Sequence, residues 1–131
     1  MAAWGTRNFE NDESQDWVFD LIDNKDGGLV ADTLQHIINR EEYLILSDCT
    51  EALAAAEVVA ALTGKPSEDF PEKPLDRLDS LDLLATKALR QLAVNAVQKI
   101  VATSGAKDQW TESNDLESWL SVQEDLLKRL Q

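Results

Sequence analysis

One segment restricts the possible folds more than any other: Ala52-Leu53-Ala54-Ala55-Ala56-Glu57-Val58-Val59-Ala60-Ala61-Leu62, apolar except for a single glutamate. Alanine favours helix over strand because it loses no side-chain entropy there. Eleven helical residues span about 16 Å, whereas crossing a bilayer takes roughly twenty apolar residues, so protein rather than lipid must cover this segment. Asp48 followed by Glu51 has capping-box geometry and predicts a helix from Cys49 to Thr63, with Gly64 as its C-terminal cap. A helix that is apolar on every side belongs at the centre of a bundle.

The rest of the chain supplies the cover. The head, Met1 to Glu10, reads as irregular, and Asn11 then reads as an N-cap with Asp12 and Glu13 in the first turn. Trp17, Val18, Leu21 and Ile22 fall on one stripe of this first helix, which Asn24-Lys25-Asp26-Gly27-Gly28 ends. A second helix is predicted over Leu29 to Arg40 with Leu34, Ile37 and Ile38 inward, and Tyr43-Leu44-Ile45-Leu46 is ambiguous between an extended piece and a helical turn. Pro66, Pro71 and Pro74 mark residues 65–76 as a surface connection. Leu81, Leu84, Ala88, Leu89, Leu92, Ala96, Val97 and Ile100 predict one long helix from Ser80 to Thr103, stopped by Ser104-Gly105. A short helical piece follows around Lys107 to Glu112. A last helix starts near Asn114 and buries Leu116, Trp119, Leu120, Leu126, Leu127 and Leu130, with Lys128-Arg129 at its negative dipole end. Strand-type alternation is almost absent. The expected architecture is therefore all-α: a single domain over 1–131, built as a compact irregular or orthogonal bundle of four principal helices plus one or two short ones.

Charge limits the partners. Twenty-five acidic against twelve basic residues give a net charge of -13, which opposes binding to nucleic-acid backbones or anionic lipid. Residues 1–64 alone carry thirteen acids and three bases, whereas 83–107 carry no acid and four bases, Lys87, Arg90, Lys99 and Lys107, expected to sit among acidic neighbours. Cys49 is the single cysteine, so no intrachain disulfide forms. With no basic leader and no long apolar stretch near the start, a cytoplasmic location is expected.

Ordered blocks along the chain resemble the bacterial domain of unknown function 4259 family. They are Trp4-Gly5, Phe9-Glu10-Asn11-Asp12 and Asp16-Trp17; then Glu51 through Ala61; then Trp110-Thr111-Glu112-Ser113 and Trp119 through Leu130. The resemblance implies a small, mostly helical protein and brings no catalytic residues with it. The Asn24 to Gly28 turn and the 65–80 connection do not look like family motifs.

Known chemical constellations fit poorly. Asp23 to Gly28 invites a calcium-loop reading, but registering on Gly27 puts Ile22 at position one and Thr33 at twelve, registering on Gly28 puts Lys25 at three and Leu34 at twelve, and a turn explains it. His36 is the single histidine and no cysteine pair accompanies it, so no metal site and no cofactor are expected. The spacing leaves a Cys49–His36 nucleophilic pair open, against a buried structural cysteine. Glu57 is the most informative residue. Within its apolar helix it must find donors or reach water, and the expected donors are the Trp4 indole and amides near Gly5. Trp4 and Trp110 lie in less regular segments, where they are expected either to line a groove or to pack in the core. Asp12 and Asp16, four apart on one helix face, are paired carboxylates available for a cation or for acid–base work. Trp4, Asp12, Asp16, Glu57 and Trp110 therefore form the candidate polar site, binding or structural.

Two functional classes follow. The first is a non-enzymatic module of the immunity or antitoxin kind, whose acidic face, including Asp12, Glu13, Asp16, Asp20 and Asp23, meets a basic protein partner. The second is a small-ligand binder or enzyme using the carboxylates near the Trp4-Gly5 segment. Nucleic-acid mimicry by surface carboxylates is a third option that only their spacing decides.

Overall fold

A computed structural model describes residues 3–131; the first two residues of the head lie outside it. The fold is an all-α bundle of seven helices among the described residues: α1 (Asp12–Asp23), α2 (Gly28–Asn39), α3 (Leu46–Leu62), α4 (Glu72–Asp76), α5 (Lys87–Ala102), α6 (Gly105–Glu112) and α7 (Leu116–Arg129). A 3-10 turn, Leu78–Leu81, precedes α5, and the only pairing of extended backbone among these residues is an isolated bridge between Ala3 and Asn11.

The Ala-rich segment lies at the hub. Twelve of the seventeen residues of α3 are buried, and α1, α2, α5, α6 and α7 all pack against it. Small alanine side chains let these neighbours approach closely, so one helix contacts five. Its C-terminus closes as predicted. Gly64 takes φ +86°, and the amides of Gly64 and Lys65 donate to the carbonyls of Ala61 and Ala60 at 2.9 and 3.1 Å.

Its start differs from the prediction. The helix begins at Leu46 rather than Cys49, without a side-chain cap, and Asp48 sits in the first turn, where its charge still opposes the dipole. The segment before it is irregular, and the Leu44 carbonyl accepts the Gly105 amide at 2.7 Å. That contact places the start of α6 against the start of α3, so closely that a Cβ on Gly105 would lie 2.8 Å from the Leu46 nitrogen. Asn11 caps α1 as expected, accepting the Ser14 amide at 2.8 Å. On α2, Val30, Leu34 and Ile37 are buried and Ile38 is half-buried.

Three further predictions are corrected. The long helix from Ser80 breaks at Asp82, which adopts a left-handed conformation (φ +52°), and α5 starts only at Lys87, where the Thr86 hydroxyl caps the Leu89 amide at 3.1 Å. Leu84 and Ala88 consequently lie exposed, whereas Leu89, Ala96, Val97 and Ile100 are buried on α5 as expected, joined by Ala93, and Leu92 is half-buried. The proline-rich connection is not all surface. Pro74 enters α4 within its first turn, where no donor is needed, and Pro74, Phe70 and Leu78 are buried. Phe70 meets Phe9 edge-on at 4.7 Å, and the Asp69 carboxylate accepts the Phe9 amide at 2.9 Å, so this connection anchors the head. The start of α7 also shifts: Asn114 is left-handed (φ +64°) and the helix begins after Asp115.

Among the described residues Lys87, Arg90, Lys99 and Lys107 form no ion pair. Lys99 instead donates to the carbonyls of Ile37, Ile38 and Arg40 at 2.8, 3.2 and 2.5 Å, satisfying the end of α2, and Lys107 donates to Ala102 at 3.1 Å.

Candidate functional site

Glu57 lies mid-way along α3 and is 1% exposed. Its Oε1 accepts from Arg129 Nη1 at 2.9 Å, and its Oε2 accepts from Arg129 Nη2 at 3.2 Å and from Asn8 Nδ2 at 2.8 Å. The guanidinium thus meets the carboxylate through two parallel bonds. Arg129 also donates to Asp125 from Nε at 2.7 Å and to the Lys65 carbonyl at 3.1 Å. Behind Asn8, the buried Gln123 completes a reciprocal amide pair: Asn8 donates to Gln123 Oε1 at 3.1 Å and Gln123 donates to Asn8 Oδ1 at 2.9 Å. One carboxylate therefore ties together the head, the central helix and the last helix.

Burial pushes the Glu57 carboxyl above its ordinary value, while the Arg129 guanidinium and the Asn8 amide pull it back. Both of its oxygens already hold donors. A general base needs a lone pair directed at a substrate proton, and here three of the four lone-pair sites face Arg129 and Asn8, which leaves one on Oε1. What this arrangement does chemically is neutralise and cross-link.

A cleft of about 380 Å³ opens above the ion pair, with Arg7, Ser67, Glu68, Asp69, Asp125 and Arg129 on its walls. Arg7 approaches Glu68 at 3.5 Å, and both are well exposed. The other expected members of the site lie elsewhere. Trp4 is 57% exposed and holds no bond to Glu57; its backbone amide donates to Glu10 at 3.0 Å. Asn8 supplies the head's contribution in its place. Trp110 is half-buried and, with Trp119, lines a crevice of about 30 Å³ that excludes Trp4. Asp12 and Asp16 are exposed on α1, far from Glu57 in their solvation.

Cys49 is buried and donates to the Leu44 carbonyl at 3.8 Å; burial pushes its thiol up, away from the reactive thiolate. His36 instead pairs with Asp48 at 3.0 Å. These contacts leave the Cys49–His36 pair without the geometry of a nucleophile and its base.

Sequence reasoning missed Asn8, Gln123 and Arg129. Gln123 carried a signal, since it lies on the Trp119–Leu126–Leu130 stripe and an amide on a buried stripe requires a partner. Arg129 carried a misleading one, because a basic residue ending a helix is already explained by the dipole.

A family model described as Domain of unknown function (DUF4259) matches residues 2–122. The match takes in Asn8 and Glu57 and stops before Gln123 and Arg129. No curated protein and no solved structure matches the chain.

Proposed function

The chain belongs to the domain of unknown function 4259 family, and on that premise we propose that it is a non-enzymatic binding module whose acidic surface engages a basic protein partner. The observation that carries this reading is the outward face of α1. Asp12, Asp16, Phe19 and Asp23 fall within about 60° of arc along the whole helix, and all four are exposed. Among the described residues none of these carboxylates forms an ion pair. An aromatic side chain set among unpaired charges combines an apolar anchor with electrostatic steering. The net charge of -13 supports a protein partner over nucleic acid or anionic membrane. No helix among the described residues is long and apolar enough to cross a bilayer, and the lone buried Cys49 suits a reducing, cytoplasmic setting.

The experiment is crosslinking in the native cell, followed by binding of the recovered partner to wild type and to an Asp12→Lys/Asp16→Lys/Asp23→Lys variant. The expected partner is basic, its association slows steeply with added salt, and the triple variant loses it. Unaltered binding by the triple variant would defeat the reading.

The cleft above Glu57 and Arg129 supports a second reading, a small cationic ligand that competes with Arg7, the Phe9 amide and Arg129 for Glu68, Asp69 and Asp125. Its signature is a ligand-dependent stabilisation that an Asp125→Asn variant abolishes and the α1 variant leaves intact.

A further inference from the structure

We propose that a second surface, the groove between the end of α3, α4 and the Asp82–Thr86 loop, docks a partner segment whose large apolar side chains are flanked by Lys or Arg. The groove measures about 590 Å³, and Leu62, Leu75, Leu83 and Leu84 form its apolar lining. Single exposed leucines are ordinary, but here Leu84 is 79% exposed beside three half-buried ones, which makes a continuous apolar patch.

The loop presenting Leu83 and Leu84 is held rather than free. Asp82 is left-handed at φ +52°, the Thr86 amide turns back to the Leu84 carbonyl at 2.9 Å, and the α1–α2 turn braces its base. The bracing is close: a Cβ on Gly27 would lie 2.8 Å from the Leu81 carbonyl oxygen. A groove formed in advance loses less conformational freedom when it is filled.

Charge selects the occupant. Asp79 and Asp82, both exposed, are the charged groups on the groove, and among the described residues no Lys or Arg lines it. Lys or Arg beside the apolar anchors complements that rim. A second copy of this chain would bring another -13 of like charge and is disfavoured. The basic flanks rest on this rim and agree with the functional reading above, whereas the place and the apolar anchors are independent of that reading.

The test uses the isotope-labelled full chain and three synthetic helical peptides: one with Leu on one face and Lys on the other, one with Glu replacing Lys, and one with Ser replacing Leu. The Leu/Lys peptide is expected to bind best and to shift the amides of Leu75, Leu83 and Leu84. Leu84→Ser, which removes a solvent-facing side chain and leaves the core intact, is expected to weaken it at least about tenfold. Asp79→Asn with Asp82→Asn is expected to flatten the salt dependence, since Asn tolerates the left-handed backbone at position 82. Undiminished binding by the Leu84→Ser variant, equal binding of the Leu/Glu peptide, or self-association through Leu84 each overturns the proposal. Shifts confined to the Asp12–Asp23 face overturn it as well, and in that case the functional reading survives.

Discussion

The guanidinium of Arg129, at the end of the last helix, meets the carboxylate of Glu57, at the centre of the bundle, through two bonds of 2.9 and 3.2 Å. Seventy-two positions separate them in the chain. The Glu57 side chain is 1% exposed and that of Arg129 15%, so water screens the pair little and removal of one partner strands the other.

Arg129→Met is expected to destabilise the protein by about 3–5 kcal/mol, because an uncompensated buried carboxylate remains. Replacing both residues with methionine is expected to cost less than that single change, since no charge is left stranded. Urea denaturation of the two variants measures this, and a double variant less stable than Arg129→Met would count against it.

The pair also sets a pH dependence. With its carboxyl raised above the ordinary 4.5, folded Glu57 binds more protons than the unfolded chain over the interval above that value. Stability then falls as pH rises through the interval. Glu57→Gln removes this titration, so the stability advantage of wild type over the variant should shrink as pH climbs from about 4.5. Urea midpoints taken across that range decide the sign; an advantage that grows with pH refutes the prediction.

Asn8 bridges Glu57 and Gln123 within the buried network. Asn8→Ala leaves the Gln123 amide without its partner and should cost about 1–3 kcal/mol. Asn8→Ala combined with Gln123→Leu should recover part of the loss, because the orphaned amide is gone. Thermal melts of the single and double variants provide the comparison.

Cys49 should behave as a buried, protonated thiol. Its hub position and raised pKa predict slow alkylation in the native state and rapid alkylation in denaturant. Mass spectrometry of iodoacetamide-treated protein reads this directly, and prompt native labelling would show that the start of α3 opens.

Gly64→Ala isolates a backbone effect. A Cβ there meets nothing within 4 Å, yet φ is +86°, so the whole cost is conformational, about 1–2 kcal/mol. A denaturant titration that detects no loss would mean that the turn relaxes.

Much of the bundle was readable in advance. The hub helix, its glycine stop, the Asn11 cap and the Trp17–Val18–Leu21–Ile22 stripe are all in place, because 3.6-residue periodicity and capping act over a few neighbouring residues. The break at Asp82 was hidden. The stripe Leu81, Leu84, Ala88 has helical spacing, yet the core accepts Leu81 from a 3-10 turn and leaves Leu84 outside. Periodicity records which faces are apolar, and packing decides which of them the core has room for.

The candidate site divides along the same line. That Glu57 needs donors follows from its apolar neighbours alone, through the high free energy of an unpaired charge away from water. Which donors it finds does not follow. Trp4 and Gly5 were plausible on chemistry, but Asn8 and Arg129 hold the carboxylate, because the path of the head and the angle of α7 bring their side chains there. Local residue chemistry dictates the demand for a partner, whereas contacts between positions far apart in the chain arise only when the helices assemble.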